Sequence, residues 1–345
     1  MSRKITVKRY GRRFRKPLRT ARGEWALREG FLLRVETDAG VGYGEVAPIP
    51  EFGSETLAAA EAFLQRFVQD PGSAVPTGMP CCAFALSAAL LMIAEGRPPC
   101  RPLKLGKPRS TRRSSLPKKD YPVSAFLPSG STALRTAEAK LALGYRNLKW
   151  KIGVEALGKE LASARSLLES LPPGARLRLD ANASLDRDGL AHWLTLLADF
   201  PEAVDYLEQP LPCGEEAAMA EAMASSGVAI ALDESLNGSG GARFLEPGAW
   251  AGPLVIKAPL MGDVAALRAK LSPVAGQVVL SSVFETGVGL ENALALADAL
   301  PGTGRPAGFD TVGAFDDALN HIQPAPIICA ADRAGYDPER IWNLI

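Results

Sequence analysis

Residues 147–180 read NLKWKIGVEALGKELASARSLLESLPPGARLRLD. A short β-rich run, 147–152, carries Lys149 and Lys151; a helical stretch follows over 157–171; a second β-rich run, 176–180, stops at an acid. Strand side chains alternate between faces, so Lys149 and Lys151 share one face and Leu148 and Trp150 the other. The unit then repeats. Lys151, Asp180, Glu208, Asp233 and Lys257 each close an apolar run, at intervals of 24 to 29 residues. Strand alternating with helix implies a parallel sheet. Eight runs, at 122–127, 147–152, 176–180, 204–208, 229–233, 254–257, 278–283 and 307–310, are the number that closes a (β/α) barrel, whose strand C-termini converge on one mouth.

Upstream the texture differs. Strands are expected at 5–14, 30–37 and 42–46, the last two joined by a turn at Asp38-Ala39-Gly40, which is an antiparallel beginning. Helical periodicity follows at 54–69, where Leu57, Ala60, Phe63, Leu64 and Phe67 share a face, and again at 83–95. Residues 97–119, rich in Pro, Arg and Ser, read as a long mobile connector. The expected fold class is therefore α/β: a modified (β/α)8, TIM-like barrel at 119–320 with an N-terminal α+β capping domain at 1–118. A C-terminal segment, 321–345, ends in the apolar pair Ile341-Trp342 and is expected to pack back on the cap.

With 345 residues, 47% hydrophobic and 22% charged, the chain can bury a large core. A formal charge of +1 gives no global attraction to nucleic acid or membrane. Basic residues do cluster: ten Lys or Arg and no acid in residues 1–22, and nine more without an acid in 97–119. The N-terminal cluster alternates like an edge strand and the one at 97–119 has the composition of a linker, so neither reads as a nucleic-acid groove. The apolar stretch 83–94 is too short to span a bilayer, and no signal peptide precedes it, so a cytoplasmic protein is expected. Cys81, Cys82, Cys100, Cys213 and Cys329 are odd in number and form no CxxC pair, which indicates reduced thiols rather than disulfides or zinc. The sequence does not set the oligomeric state.

Asp180, Glu208 and Asp233 all stand where an apolar run stops. An acid there can simply start an Asx-turn or cap the next helix. Three on consecutive strands are harder to dismiss, because together without a cation they would raise one another's pKa; a shared Mg²⁺ removes the conflict. A solvated-edge role suits Lys149 and Lys151 poorly, since helices cover parallel barrel strands. Lys257 follows an almost wholly apolar strand, 254–257, with no local partner. Positive charge nearby and partial desolvation would favour a neutral amine, able to act as a base. Arg178 shares a strand face with Asp180, and either points into the mouth or supports the acids by a salt bridge.

This order, K-x-K at 149–151, then Asp180, Glu208 and Asp233, then Lys257, resembles the enolase superfamily and, within it, the muconate-lactonising subgroup. The resemblance covers nearly the whole chain. It implies that Asp180, Glu208 and Asp233 bind Mg²⁺, with Mn²⁺ able to serve, and that Lys151 is general base and then acid. Lys257 would be the opposing cation and Lys149 an electrostatic neighbour of Lys151, with Asn182 and Glu234 orienting the ligands or Lys149. Less specific segments, Arg28-Glu29-Gly30, GYGEVAP at 42–48, SSVFETG at 281–287 and GFDT at 308–311, resemble members that dehydrate 2-succinyl-6-hydroxy-2,4-cyclohexadiene-1-carboxylate to 2-succinylbenzoate on the way to menaquinone or phylloquinone. Removing a proton beside a carboxylate creates a dianionic enediolate, accessible only if positive charge meets it as it forms. On that reading a small carboxylate is the partner. Arg22, Phe52 and Gly53 shape the cap side, and Ser281 and Ser282 hold the succinyl or carboxylate end, although Gly and Ser are also ordinary turn residues.

The same five residues would also serve an N-acylamino acid racemase or a dipeptide epimerase, with Lys151 and Lys257 as bases on opposite faces. Dipeptide epimerases usually carry D-x-D near the eighth strand, whereas here Asp310 is followed by Thr311 and Val312. A His-dependent relative would need a base histidine after the sixth or seventh strand; His192 and His321 stand elsewhere. A noncatalytic scaffold would have no use for an unpaired lysine in a barrel mouth.

Overall fold

The computed structural model describes residues 3–20, 23–96, 117–130 and 132–345; Arg22 and most of the expected connector, 97–116, lie outside the described residues. Strands β1 (Lys4–Thr20), β2 (Gly23–Thr37) and β3 (Gly40–Val46) form an antiparallel sheet in that order. The β1–β2 hairpin runs past the expected strand ends at Phe14 and Gly30, through a bulge between Arg13 and Leu18, as far as Thr20 opposite Gly23. Dense positive charge hid this extension in the sequence. Its partners are acids: Arg9 meets Glu29 and Glu61, Arg12 meets Asp317 and Arg15 meets Asp316. Those contacts occupy three residues of the N-terminal basic cluster within the molecule.

Two helices cover the sheet. In α1 (Leu57–Gln69) Thr56 caps the N-terminus by accepting from the Ala59 amide. In α2 (Pro80–Ala94) a proline opens the first turn, where its missing N–H costs nothing. Strand β3 is buried along its whole length. It can be because Gly42 and Gly44 lack a Cβ that would strike the α2 backbone at Ala89 and Ala85.

After β4 (Tyr121–Pro122) the strand–helix alternation begins with β5 (Ser124–Leu127), α3 (Ala133–Ala142), β6 (Asn147–Lys151) and α4 (Leu157–Ser170). It continues with β7 (Arg176–Asp180), α5 (Arg187–Ala198), β8 (Val204–Glu208), α6 (Glu216–Ser226) and β9 (Ile230–Ala231). Then come α7 (Gly238–Gly241), β10 (Leu254–Ile256), α8 (Val264–Leu271), β11 (Val278–Leu280) and α9 (Gly287–Ala299). Strands β5 to β9 form one parallel sheet and β10 pairs with β11. Parallel bridges Leu232–Leu254, Ser281–Gly308 and Val123–Ala307 join these pieces into a ring, with residues 307–308 as the eighth stave. The barrel is closed, as the interval of the sequence runs led us to expect.

Helices and strand exteriors share a core containing Leu148, Trp150, Leu177, Trp193, Leu207 and Leu254. Inside the barrel, Tyr206, Ala231, Val255 and Val279 pack together. The β7–β8 register slips after Leu177, which pairs with Val204 while Arg178 pairs with Tyr206. Asp205 is the extra residue of that bulge.

The chain ends with β12 (Ile327–Ile328), which pairs antiparallel with β4, then α10 (Ala330–Ala334) and α11 (Pro338–Trp342). Ile341 and Trp342 pack with Tyr10, Leu32 and Tyr43 of the cap sheet. Among the described residues no helix is long and apolar enough to cross a membrane.

Candidate active site

All five residues of the spaced set stand at or just beyond the C-terminal ends of β6 to β10, hence at one mouth. Register places Lys151 level with Asp180 and Asp180 level with Glu208. From β6, which holds Lys151, to β10, which precedes Lys257, is four strand steps around a ring of eight, so the two lysines face each other across the opening.

The Lys149 ammonium lies 2.8 Å from Asp180 Oδ2 and 2.6 Å from Glu208 Oε1. Lys257 bonds Asp233 Oδ1, and its ammonium also stands over the Phe52 ring of the cap, 4.5 Å from the centroid. The half-buried Lys151 side chain has no hydrogen bond or ion pair with another side chain among the described residues. Among the described residues no three acids gather around a common point; Lys149 bridges Asp180 and Glu208, while Asp233 pairs with Lys257.

Electrostatics here are tense. Burial pushes Glu208 up to about 8, and neighbouring Asp180 adds to the push. Burial works against ionised Asp180 as well, yet the Lys149 ammonium outweighs it and holds this carboxyl below its ordinary range. Desolvation would lower Lys149, but Asp180 and Glu208 together raise it. Glu234 is pushed up to about 7 by burial and by Asp233. Glu208 Oε2 is buried without a hydrogen-bond partner. One ammonium between two buried carboxylates, with an orphaned oxygen beside it, fits a donor set made for a hard divalent cation.

The remaining expected residues are placed unevenly. Asn182 donates from its main-chain N to Asp180 Oδ1 at 3.1 Å and from Nδ2 to Glu234 Oε1 at 3.2 Å, so these two stand behind the carboxylates. Arg178 is inside the barrel below the mouth, bonded to Asp205 at 2.8 Å and to the Pro306 carbonyl at 2.8 Å, with Tyr206 against its guanidinium. Its salt bridge goes to the bulge acid and to none of the three carboxylates. Ser281 is half-buried beside Gly308. Ser282 is buried, accepts from Thr311 Oγ1 at 2.7 Å and from the Phe284 amide at 2.9 Å, and donates to Glu285 at 3.0 Å. Its hydroxyl is thereby committed to the loop.

Gly53, at φ 81°, ends the single turn Pro50–Phe52, and a Cβ there would come 3.3 Å from the Gly238 amide. The cap loop therefore rests on the barrel loop that follows Asp233. Phe126 was missed by sequence reasoning. It is 43% exposed, and its register opposite Lys149 puts it on the inward face at the mouth. The signal was available, since Phe126 has the parity of Ser124 on the first strand.

The family described as "Enolase C-terminal domain-like" matches residues 132–318, and "MenC, N-terminal domain" matches 3–93. The o-succinylbenzoate synthase of Thermosynechococcus vestitus is 36% identical over 285 residues, 81% of this chain and 84% of that protein. That of Yersinia enterocolitica is 32% identical over 83% of each. A crystal structure of o-succinylbenzoate synthase from Thermosynechococcus elongatus BP-1 with Mg in the active site is similar at TM-score 0.78, with 30% identity over 99% of this chain and 100% of that one. The L-Ala-D/L-Glu epimerase of Bacillus subtilis has the same fold at TM-score 0.78 and 18% identity over 94% of this chain and 95% of that one.

Proposed function

The chain belongs to the o-succinylbenzoate synthase family of the enolase superfamily, and from that premise we propose how its barrel mouth dehydrates 2-succinyl-6-hydroxy-2,4-cyclohexadiene-1-carboxylate to 2-succinylbenzoate. The enzyme is a hydro-lyase of menaquinone biosynthesis acting on a small carboxylate. Asp180, Glu208 and Asp233 would hold Mg²⁺, and Mn²⁺, which accepts the same oxygen donors, is expected to replace it. When bound, the ion supplies positive charge beside the substrate carboxylate as negative charge grows there.

Lys151 takes the proton from the ring carbon that bears the carboxylate. The C–O bond to the ring hydroxyl then breaks, its electron pair leaves with oxygen, and Lys151 returns the proton so that water departs. Two ring double bonds become three. The ammonium of Lys257, steadied by Asp233 and the Phe52 ring, faces the other side of the ring and offsets the charge that forms. Lys149 keeps Asp180 and Glu208 together. Phe126 offers an apolar surface for the ring and Ser281 a hydroxyl for the succinyl or carboxylate end. The observation that carries the reading is the pair of lysines on opposite staves with three carboxylates between them.

Asp310 weighs against the dipeptide epimerase reading. Its carboxylate accepts from the Phe126 amide at 3.0 Å and the Tyr145 hydroxyl at 2.9 Å and pairs with Lys140 at 2.5 Å, so its charge is already met by a cation of the chain and a substrate amine would have to compete with Lys140. The test is ultraviolet loss of the cyclohexadiene substrate with purified protein and Mg²⁺. Turnover that stops with EDTA supports the proposal. No turnover, with racemisation of an N-succinylamino acid instead, would replace it with the racemase.

A further inference from the structure

Gln209 follows Glu208, is fully buried, and has φ 35°. Left-handed backbone is uncommon for a residue with a side chain, and Pro210 restricts the residue before it as well. Six hydrogen bonds hold Gln209 in this conformation. Its N–H donates to the Ala231 carbonyl at 2.8 Å, and its own carbonyl accepts from the Ala183 amide at 2.7 Å. Its side-chain Oε1 accepts from the amides of Asp233 and Ser235, each at 3.1 Å. Nε2 donates to the Leu211 carbonyl at 3.0 Å and to Ser235 Oγ at 2.8 Å. A primary amide has two N–H donors and two acceptor lone pairs, and all four are used.

These bonds connect the loop just beyond Asp180, the strand end of Glu208 and the segment that begins at Asp233. One residue thus links all three carboxylate-bearing strand ends. The link is anchored from outside, because Ser235 Oγ donates to Glu216 Oε1 at 2.7 Å, and Glu216 also accepts from the Gly214 amide at 2.9 Å. We propose that Gln209 is a positioning residue whose side-chain amide sets the place of Asp233 relative to Asp180 and Glu208 for a divalent cation; the proposal rests on the reading of those three as the metal set. Fully buried, Gln209 presents no surface to a substrate. Its backbone bonds survive substitution, whereas the four side-chain bonds do not, so the spacing of Asp233 from the other two is what a variant disturbs.

The experiment is calorimetric titration of Mg²⁺ into the metal-free full chain, without substrate, for wild type and Gln209→Met. Orienting partners of this kind are worth roughly 10- to 100-fold in metal affinity. The expected result is a dissociation constant raised by about that factor, with the Mg²⁺ concentration for half-maximal turnover rising in parallel and kcat at saturating Mg²⁺ falling less. A variant with a lowered Tm and an unchanged dissociation constant overturns the proposal. A wild type that takes up no Mg²⁺ overturns the metal reading and this proposal with it. Should Gln209→Met fail to fold, Ser235→Ala is compared with Ser235→Pro, which also deletes one N–H held by the Gln209 oxygen. Weaker Mg²⁺ binding in the proline variant supports the clamp, and equal binding overturns it.

Discussion

Lys149 lies between two buried carboxylates, and its removal would leave both uncompensated. Breaking a buried pair by deleting one partner typically costs about 3–5 kcal/mol. Lys149→Met is therefore expected to destabilise the metal-free chain by about 3 kcal/mol in urea unfolding, with Mg²⁺ recovering part of the loss. An unchanged midpoint would contradict the bridging role. A further expectation concerns pH. Glu208 is raised to about 8, Glu234 to about 7 and Glu285 to about 7, in each case by burial first. Carboxyls raised on folding bind more protons folded than unfolded, so their contribution is complete below about pH 4.5 and is lost as pH rises through 7 to 8. The Tm of metal-free protein should fall between about pH 5 and pH 9, and saturating Mg²⁺ should flatten that slope. At this scale the strand-end positions of Lys151, Asp180, Glu208, Asp233 and Lys257 were legible in the sequence, because strand parity and spacing suffice to place a charged group there. The sequence concealed Asp205, which turns inward only through a one-residue bulge, and Gln209, whose role depends on where three loops meet.

Among the described elements, the cap loop Pro50–Phe52 reaches the proposed site, since the Phe52 ring lies against the Lys257 ammonium. A cation–π contact is worth about 0.5–2 kcal/mol. Phe52→Ala should accordingly lower kcat/KM by roughly 2- to 30-fold, while Phe52→Tyr keeps most of it; steady-state kinetics on the two variants checks the difference, and equal losses would refute it. The barrel strands were legible because apolar runs recur at a steady interval, most of them separated by a helix. Strand ends were less so: the run at 278–283 is a strand only over Val278–Leu280, and the last stave is held by single bridges at Ala307 and Gly308. Loop geometry at the mouth, where side chains compete with strand pairing, is what shortens them.

On the scale of the whole molecule, cap and barrel are joined by buried polar groups. Arg28 donates to the carbonyls of Ala47 at 2.5 Å, Pro48 at 2.7 Å and, across to the barrel, Val283 at 3.0 Å. Glu45 accepts from the Tyr10 hydroxyl at 2.5 Å and from the amides of Thr286 and Gly289 at the start of α9. Arg28→Met would strand three buried acceptors, and a loss of about 3 kcal/mol is expected in denaturant unfolding. No sequence pattern announced the Arg28–Val283 and Glu45–Thr286 ties, because each joins residues more than two hundred positions apart. The central claim is that Lys151 moves the proton while Lys257 faces it as a cation. Its most direct test is single-turnover dehydration by Lys151→Ala at saturating Mg²⁺, with Mg²⁺ binding measured on the same sample. The account predicts intact Mg²⁺ binding and a rate lower by roughly 10²- to 10⁴-fold; a rate within about tenfold of wild type would contradict it.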